Sequence, residues 1–176
     1  MKRPLNWATA TKENKMDYTT SPHGQKAKAL FLEGYNCSQA IAMAFQEELE
    51  QKGFPMQATL AMVGSMGGGM GRLREVCGTV SAIFLVAGAL YGYSDPKDKQ
   101  AKAEHYARIQ QLAARFQEVN GKDTIVCREL LGLTRKKDDP TPSERTPEYY
   151  KKRPCPDLCA ISAAVLEEYI QQHPWQ

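Results

Sequence analysis

The residues of this sequence best suited to chemistry are its five cysteines, because thiols act as nucleophiles, redox groups and metal ligands. Each falls at or near the predicted start of a helix: Cys37, Cys77, Cys127, Cys155 and Cys159. Unpaired N–H groups and the helix dipole favour negative charge there, so we expect lowered thiol pKa values. The cysteines also share helix faces with apolar residues, which predicts that they point inward and meet in one site.

The local sequence around individual cysteines refines this prediction. Asn36 is a good N-cap residue and Gln39 stands three positions later, as in a capping box, which puts Cys37 in the first turn. Cys155 and Cys159 are four residues apart and do not form a Cys-x-x-Cys motif. Side chains four apart share a helix face, so this pair is interpreted either as a resolving pair or as two metal ligands.

A glycine-rich stretch, GSMGGGMGR at 64–72, precedes the second cysteine. It contains neither the Gly-Lys-Ser/Thr of a P-loop nor a Gly-x-Gly-x-x-Gly pattern. Two interpretations stay open: a tight packing turn, or a nest of N–H groups facing an anion, a thiolate or a cluster sulfide. Arg72 and Arg74 add positive charge beside Cys77. The residues predicted to support the cysteines are Cys159, Asn36, Gly67, Gly68, Gly69, Gly71, Arg72 and Gly78.

Helical spacing of apolar residues dominates the chain and predicts an all-α fold. We expect a compact bundle of about six to seven helices around a buried apolar central helix, 74–92, with the glycine-rich loop before it. The expected helices cover 22–32, 37–51, 56–63, 74–92, 96–119, 124–131 and 156–172, with one further turn at 148–151.

The length of 176 residues suits one domain with a sizeable core. We predict a flexible N-terminal arm at 1–20 and a single helical redox-type domain at 21–176. Within that domain, the charged and proline-rich segment 134–154 is expected to be a long surface loop.

Composition narrows the classes of function and location. The net charge of +3, from 23 basic and 20 acidic residues, does not indicate nucleic-acid binding. No apolar run follows the basic N-terminus, so no signal peptide is predicted. The uncharged span 76–93 approaches the length of a membrane helix, but its glycine, serine, threonine and cysteine residues favour a buried core helix. Free cysteines without secretion indicate a reducing, cytoplasmic location. His23, His105 and His173 are expected at the surface.

Four segments together resemble the C-GCAxxG-C-C family of proteins, which are regarded as redox-active. They are GYNCSQAI at 34–41, MGGGMGRLREVCGTVSA at 66–82, CRELLG at 127–132 and CPDLCAISAAVLEEY at 155–169. The resemblance implies a small, mainly helical protein whose four recurring cysteines are Cys37, Cys77, Cys127 and Cys155. The central motif departs from Cys-Gly-Ala-x-x-Gly, because Thr79 and Ala82 replace its alanine and second glycine.

Three hypotheses from different classes follow. In the first, Cys37, Cys77, Cys127 and Cys155 are the catalytic thiols of a dithiol–disulfide site, and an undefined protein or small molecule exchanges electrons with it. In the second, the same four cysteines bind an iron–sulfur cluster or another metal as cofactor. In the third, the protein has no chemistry of its own and forms a homo-oligomer through its small-residue helix. None of the three involves nucleic acid or a membrane.

Overall fold

The computed structural model describes residues 17–135 and 137–176, which form an all-α fold as the sequence predicted. The helices are α1 (Pro22–Glu33), α2 (Cys37–Ala44), α3 (Gln46–Gln51), α4 (Met56–Gly64), α5 (Gly67–Met70), α6 (Gly78–Tyr91), α7 (Lys99–Asn120), α8 (Cys127–Leu130), α9 (Pro147–Lys151) and α10 (Cys155–Gln172). Several are only one or two turns long, so these ranges contain more and shorter helices than the six or seven expected. No strand occurs in the described ranges, where Val76 and Val126 form an isolated antiparallel bridge.

The core is built around α6, which packs against α2, α7 and α10. Val80, Ile83 and Val86 on this helix are fully buried. Removing each of these side chains from water contributes about 1.5–3 kcal/mol to folding. The prediction of a buried apolar central helix is therefore confirmed.

The start of this central helix was predicted wrongly, because α6 begins at Gly78 and not at residue 74. The preceding residues are extended and pair with a distant segment. The Cys77 N–H donates to the Ile125 carbonyl at 2.8 Å, and Val76 bridges to Val126. These long-range hydrogen bonds compete with the first helical turn, and apolar periodicity within the segment does not reveal them.

Helix α1 lies along α10, and its ends follow the predicted signals. The Ser21 hydroxyl accepts a hydrogen bond from the Gly24 N–H at 2.9 Å, and Gly34 ends the helix with a φ of +120°. A Cβ atom at Gly24 would lie 2.9 Å from the Ala160 carbonyl oxygen. A glycine at this point therefore allows close approach of α1 to α10.

The segment predicted as one helix at 37–51 is divided at Phe45 into α2 and α3. Phe45 has a φ of −102° and a ψ of +30°, outside helical values. Its ring is fully buried and stacks on His23 with a centroid distance of 4.3 Å. The break lets this ring pack under α1 while α3 continues in contact with α6.

Helix α7 begins later than the predicted residue 96. The Asp98 side chain accepts a hydrogen bond from the Ala101 N–H at 2.8 Å, which makes Asp98 the N-cap. The C-terminal end agrees with prediction, because Gly121 follows Asn120 with a left-handed φ of +70°.

The histidines are more buried than expected. His23 lies between two carboxylates: its Nε2 is 2.9 Å from Glu48 Oε1 and its Nδ1 is 2.9 Å from Glu167 Oε2. His105 and His173 are half-buried. Burial alone would lower the pKa of His23, but the hydrogen bonds and charges of Glu48 and Glu167 outweigh burial and raise it. The ion pairs of His23 with Glu48 and Glu167 therefore connect α1 to α3 and α10.

The His23 contacts predict a pH dependence of stability. Because the folded-state pKa is raised above the ordinary value of about 6.5, the stabilisation is complete below that pH and is lost as pH rises through the folded pKa. We expect His23→Gln to lower the free energy of unfolding at pH 6 by about 1–3 kcal/mol and to flatten its decline toward pH 8. Urea titrations at several pH values measure both effects. The control is His173→Gln, which removes a histidine whose ring stacks on Tyr169. An unchanged pH profile in His23→Gln would contradict the prediction.

Two further observations concern the chain ends and membranes. Residues 1–16 of the predicted arm lie outside the described residues. Residues 17–20 form a turn in which the Thr20 N–H donates to the Asp17 carbonyl at 3.2 Å. Among the described residues, no helix combines the length and the apolar character needed to cross a membrane.

Candidate functional site

A cavity of about 300 Å³ lies where the N-terminal ends of four helices meet, and four cysteines line it. Cys37, Cys127 and Cys155 are the first residues of α2, α8 and α10, and Cys77 is the N-cap of α6. The structure thus brings together four thiols from four separate segments. Cys159 lies one turn further along α10, is fully buried and does not line the cavity.

The rest of the wall combines glycines, arginines and apolar side chains. It is lined by Gly64, Gly67, Gly68, Gly71, Arg72, Arg74, Arg145, Arg153, Phe31, Leu130, Leu131, Leu158, Pro140, Pro142, Asn36, Thr79, Ser143 and Tyr149. The thiols therefore share their cavity with several guanidinium groups.

The glycine-rich stretch between α4 and α6 forms a tight turn against two of these cysteines. Gly68, Gly69 and Gly71 have φ angles of +66°, +71° and +60°, which glycine adopts without the strain of a side chain. The Gly68 backbone hydrogen-bonds to the Cys37 sulfur. A Cβ atom at Gly69 would lie 2.7 Å from Cys127 Cβ. The turn thus combines close packing with an N–H directed at a thiol.

The predicted capping box at the start of α2 is confirmed, and it orients the first cysteine. Asn36 Oδ1 accepts from the N–H groups of Ser38 and Gln39, at 3.1 and 2.9 Å. The Gln39 side chain accepts from the Asn36 N–H at 3.3 Å. Asn36 Nδ2 also donates to the Gly64 carbonyl at 3.2 Å, which ties the start of α2 to the glycine-rich turn.

Two glycines allow the Cys37 segment to approach its neighbours. A Cβ atom at Gly78 would lie 2.5 Å from Cys37 Sγ, so the sulfur contacts the residue that follows Cys77. A Cβ atom at Gly67 would lie 2.7 Å from Asn36 Nδ2. Both distances are shorter than real Cβ contacts, so a larger residue at either position would displace this segment.

The Thr79 hydroxyl, which has no counterpart in the family motif, contacts two side chains. Thr79 Oγ1 lies 3.3 Å from Cys77 Sγ and accepts a hydrogen bond from Ser162 Oγ at 2.7 Å. Thr79 and Ser162 are buried, and Ala82 is fully buried. The added hydroxyl is therefore satisfied within the core and touches a cavity thiol.

Cys127 is the cavity cysteine that receives a hydrogen bond from a cation. Arg74 Nη1 donates to Cys127 Sγ at 3.7 Å, and Arg74 Nε donates to Asp138 Oδ2 at 2.9 Å. Arg74 is only 3% exposed. The predicted cap at Asp123 or Thr124 is wrong, because α8 begins at Cys127 after an extended segment. That segment lets the Cys127 N–H donate to the Glu75 carbonyl at 2.6 Å.

The segment 134–154, predicted as a surface loop, also closes one side of the cavity. The Asp138 side chain is 1% exposed, and the Asp138 N–H donates to the Arg72 carbonyl at 3.1 Å. Arg145 Nη1 donates to the Phe31 carbonyl at 2.7 Å. The turn predicted within this segment is present as α9. The loop is therefore attached to α1 and to the glycine-rich turn.

The expected lowering of the thiol pKa values is wrong. The pKa is raised at all five cysteines, and burial is the largest cause at each. Burial and the neighbouring thiols raise the pKa of Cys155 to about 12. At Cys127, the hydrogen bond and charge of Arg74 oppose the effect of burial. The desolvation of a thiolate outweighs the helix N-terminus, so the thiols are protonated at neutral pH.

Cys37 is the electrostatic centre of the group. After burial, the charge of Cys37 is the next largest cause that raises the pKa of Cys77, Cys155 and Cys159. The charge of Cys127 in turn raises the pKa of Cys37. Ionisation of Cys37 therefore opposes ionisation of Cys77, Cys155 and Cys159.

The candidate metal ligands do not form a compact set. Across 17–135 and 137–176, no three cysteine, histidine, aspartate or glutamate side chains are grouped so that they could hold a metal ion. The cysteines that were candidate ligands line the cavity without forming a preformed metal site.

Several cavity residues were missed by the sequence analysis. Arg74 was associated with Cys77, whereas its side chain contacts Cys127. The loop residues were placed outside the site, and their only signal was the concentration of charge between prolines in 134–154. The missed residues of the cavity wall include Thr79, Arg145, Tyr149 and Arg153, and Asp138 was missed as the partner of Arg74.

Comparison with known proteins agrees with the cysteine pattern. A family profile described as "Putative redox-active protein (C_GCAxxG_C_C)" matches residues 35–169, which include the four cavity cysteines and the glycine-rich turn. No curated protein and no solved structure matches the chain. On this match over most of its length, the chain belongs to the C_GCAxxG_C_C family.

Proposed function

We propose that this chain is a thiol-based redox protein whose cavity cysteines cycle between a dithiol and a disulfide. The observation that carries the proposal is the position of four thiols from four chain segments on the wall of one cavity. Cysteines that only fill space in a core would not be expected to border a common cavity. The family description supports redox activity in general.

Cys127 is the first thiol to attack in this proposal. Its sulfur accepts a hydrogen bond from Arg74, and the hydrogen bond and charge of Arg74 offset part of the rise in its pKa that burial causes. The thiolate is the nucleophile in exchange with disulfides. Asp138 orients Arg74 by accepting hydrogen bonds from its Nε and Nη2, while Nη1 donates to the Cys127 sulfur.

Cys37 is the resolving thiol. Cys37 and Cys127 contact consecutive glycines of the same turn, Gly68 and Gly69. The charge of Cys127 also raises the pKa of Cys37, so the two thiols are close enough to interact. These contacts favour Cys37 over Cys159, which does not line the cavity.

The reaction transfers two electrons from the protein to a disulfide substrate. The Cys127 thiolate attacks one substrate sulfur, which forms a mixed disulfide and releases the other half as a thiolate. Cys37, after losing its proton to solvent, attacks the Cys127 sulfur. The protein then holds a Cys37–Cys127 disulfide, and the second half of the substrate leaves as a thiolate. The two released thiolates take up protons.

Counting of thiols and mass measurement test this proposal in the full chain. Reduced protein is incubated with hydroxyethyl disulfide, quenched with acid, and its free thiols are counted in denaturant. We expect the wild type to lose two of its five thiols and to gain no reagent mass. In Cys37→Ala the resolving step is absent, so we expect a trapped mixed disulfide at Cys127, with the added mass of one reagent half.

Cys159→Ala is the matched control, because it removes a buried cysteine that does not line the cavity. We expect it to lose two thiols like the wild type. Retention of all thiols by the wild type, or identical behaviour of Cys37→Ala, would contradict the proposal. Anaerobic preparations are assayed for metal in parallel. Stoichiometric iron that is lost in Cys37→Ala would favour the cluster hypothesis, and neither redox change nor metal would favour an interaction protein.

A further inference from the structure

We propose that the substrate of this cavity is a small anionic disulfide, whose carboxylates are bound by Arg145 and Arg153. This inference rests on the dithiol function proposed above and adds the chemical class of its substrate. Three observations support it: the positive charge of the cavity wall, two arginines that have no carboxylate partner among the described residues, and the size of the cavity.

The wall carries a large excess of positive charge. Four arginines line it. Among the described residues, Asp138 is the carboxylate that forms ion pairs with two of them, Arg72 and Arg74. No carboxylate of the described chain lies within ion-pair distance of Arg145 or Arg153. A low-dielectric cavity with walls of one charge concentrates ligands of the opposite charge.

Arg145 and Arg153 are held in place by aromatic rings. The Arg145 guanidinium lies 4.6 Å from the centroid of Phe31, and that of Arg153 lies 4.9 Å from the centroid of Tyr149. Stacking orients a guanidinium and leaves its in-plane N–H donors available. Arg145 uses Nη1 for main-chain carbonyls, but no hydrogen bond within the described ranges occupies its other nitrogens. Both groups can therefore donate to a carboxylate.

A third arginine supplies an unused donor. Arg72 Nε is buried and has no hydrogen-bond partner among the described residues, although Arg72 lines the cavity. A buried donor without a partner costs free energy, which a bound acceptor would recover. This donor points to a ligand that carries acceptor oxygens.

The positive groups lie close to the proposed nucleophile. Burial raises the pKa of Cys127, and the charge of Arg153, like that of Arg74, opposes this rise. The charge of Arg153 lowers the pKa of Cys155 in the same way. A carboxylate bound at Arg153 would therefore hold its own disulfide bond near these thiols.

The size and apolar lining of the cavity set the rest of the ligand. A volume of about 300 Å³ is at the lower end of small-molecule sites. Leu130, Leu131 and Leu158 offer an apolar surface for methylene and sulfur groups. The cavity thus suits a disulfide with short carbon arms that end in carboxylates.

Three disulfides that differ in charge test the inference with the full reduced chain. They are dithiodiglycolate, which is a dianion, neutral hydroxyethyl disulfide, and cystamine, which is a dication. Each rate constant is divided by that of the same disulfide with free dithiothreitol at high ionic strength, where repulsion between the dithiothreitol thiolate and the dianion is screened, so that only differences in intrinsic reactivity are removed. At low ionic strength we expect the normalised rate for the dianion to exceed that of the neutral reagent about tenfold or more, and the ratio to fall as salt is added.

The variants Arg153→Gln and Arg145→Gln are expected to reduce this dianion-to-neutral ratio toward one. Lys151→Gln removes the same charge from an exposed position in α9 and is expected to keep the ratio of the wild type. Because the readout is a ratio within one protein, a general change in thiol reactivity cancels. Circular dichroism checks that each variant is folded, and Arg153→Gln decides the outcome if Arg145→Gln does not fold.

The outcomes separate this inference from the function on which it rests. Equal normalised rates for the three disulfides would overturn the anionic substrate and leave the dithiol proposal in place. A ratio that stays high in Arg153→Gln would overturn the role of that residue in binding. Failure of every reagent to oxidise the wild type would contradict the dithiol function and this inference together.

Discussion

Replacement of Asp138 by asparagine is expected to lower the free energy of unfolding by about 3–5 kcal/mol, because it leaves a buried arginine without its carboxylate. Arg74 is 3% exposed, and the Asp138 side chain is 1% exposed. Asp138 Oδ2 accepts hydrogen bonds from both Nε and Nη2 of Arg74. Without the carboxylate, the buried Arg74 guanidinium loses the acceptor of two hydrogen bonds, and the free-energy cost of its desolvation is no longer compensated. Urea unfolding followed by circular dichroism measures the effect.

Asp139→Asn is the control for this prediction. Asp139 is exposed and its side chain accepts a hydrogen bond from the Thr141 N–H at 2.8 Å, so its replacement is expected to change stability by less than about 0.5 kcal/mol. Equal stability of Asp138→Asn and Asp139→Asn would show that the Arg74–Asp138 pair does not stabilise the fold.

Acid provides a second signature of the same pair. Burial alone would raise the pKa of Asp138, but the hydrogen bond and charge of Arg74, with the charges of Arg135 and Arg72, lower it. A lowered folded-state pKa means that the stabilisation is present above the ordinary value of about 3.9 and is lost as pH falls through the folded pKa. We therefore expect the difference between wild type and Asp138→Asn to shrink as the pH falls below 4.

The parts of the fold that sequence predicted are those set by local interactions. The capping box of Asn36 and Gln39 needs only residues within one turn, and it forms as expected. The same holds for the end of α1 at Gly34 and the end of α7 at Gly121. These local signals placed Cys37 in the first turn of α2, whereas the predicted starts of the helices next to Cys77 and Cys127 were wrong. The meeting of the four cysteines in one cavity depends on how the helices pack.

The parts that sequence did not predict depend on residues far apart in the chain. Asp138 lies 64 residues from Arg74, and no local pattern identifies this pair. Ser162 lies 83 residues from Thr79 and provides the partner for its hydroxyl. The start of α6 depends in the same way on the bridge from Val76.

The direction of the thiol pKa shifts also depends on residues that are far apart in the chain. A helix N-terminus is visible in the sequence, but the depth to which a sulfur is buried depends on the whole packing. Burial is the larger of the two effects at every cysteine of this chain. The local signal thus identified four cysteines that line one cavity, but it gave the wrong direction for their pKa shifts.

Addition of one methyl group at Gly78 is the second change with a large expected effect. A Cβ atom there would lie 2.5 Å from Cys37 Sγ and 2.7 Å from the Met66 carbonyl oxygen. The carbonyl belongs to the backbone and cannot rotate away. We expect Gly78→Ala to lower the free energy of unfolding by about 2–3 kcal/mol, which is the cost of overpacking a tight site. Chemical denaturation measures it.

Gly88→Ala in the same helix is the matched control with the opposite expected sign. A Cβ atom at Gly88 would meet His105 Nε2 only at 4.0 Å, so no atom has to move. Alanine is favoured over glycine within a helix by about 0.5–1 kcal/mol, and we expect Gly88→Ala to stabilise the protein by about that amount. If both alanine variants were stabilised, the close contact at Gly78 would be contradicted.

A double-mutant cycle separates the sulfur contact from the backbone contact at Gly78. Shortening Cys37 to alanine removes the atom at 2.5 Å but leaves the Met66 carbonyl in place. We therefore expect Gly78→Ala to cost less free energy in a Cys37→Ala background than in the wild type, by about 1 kcal/mol. A coupling near zero would mean that the backbone contact alone sets the cost. A clear coupling would mean that the glycine after Cys77 is needed to bring the Cys37 sulfur to the cavity wall, where its proposed chemistry takes place.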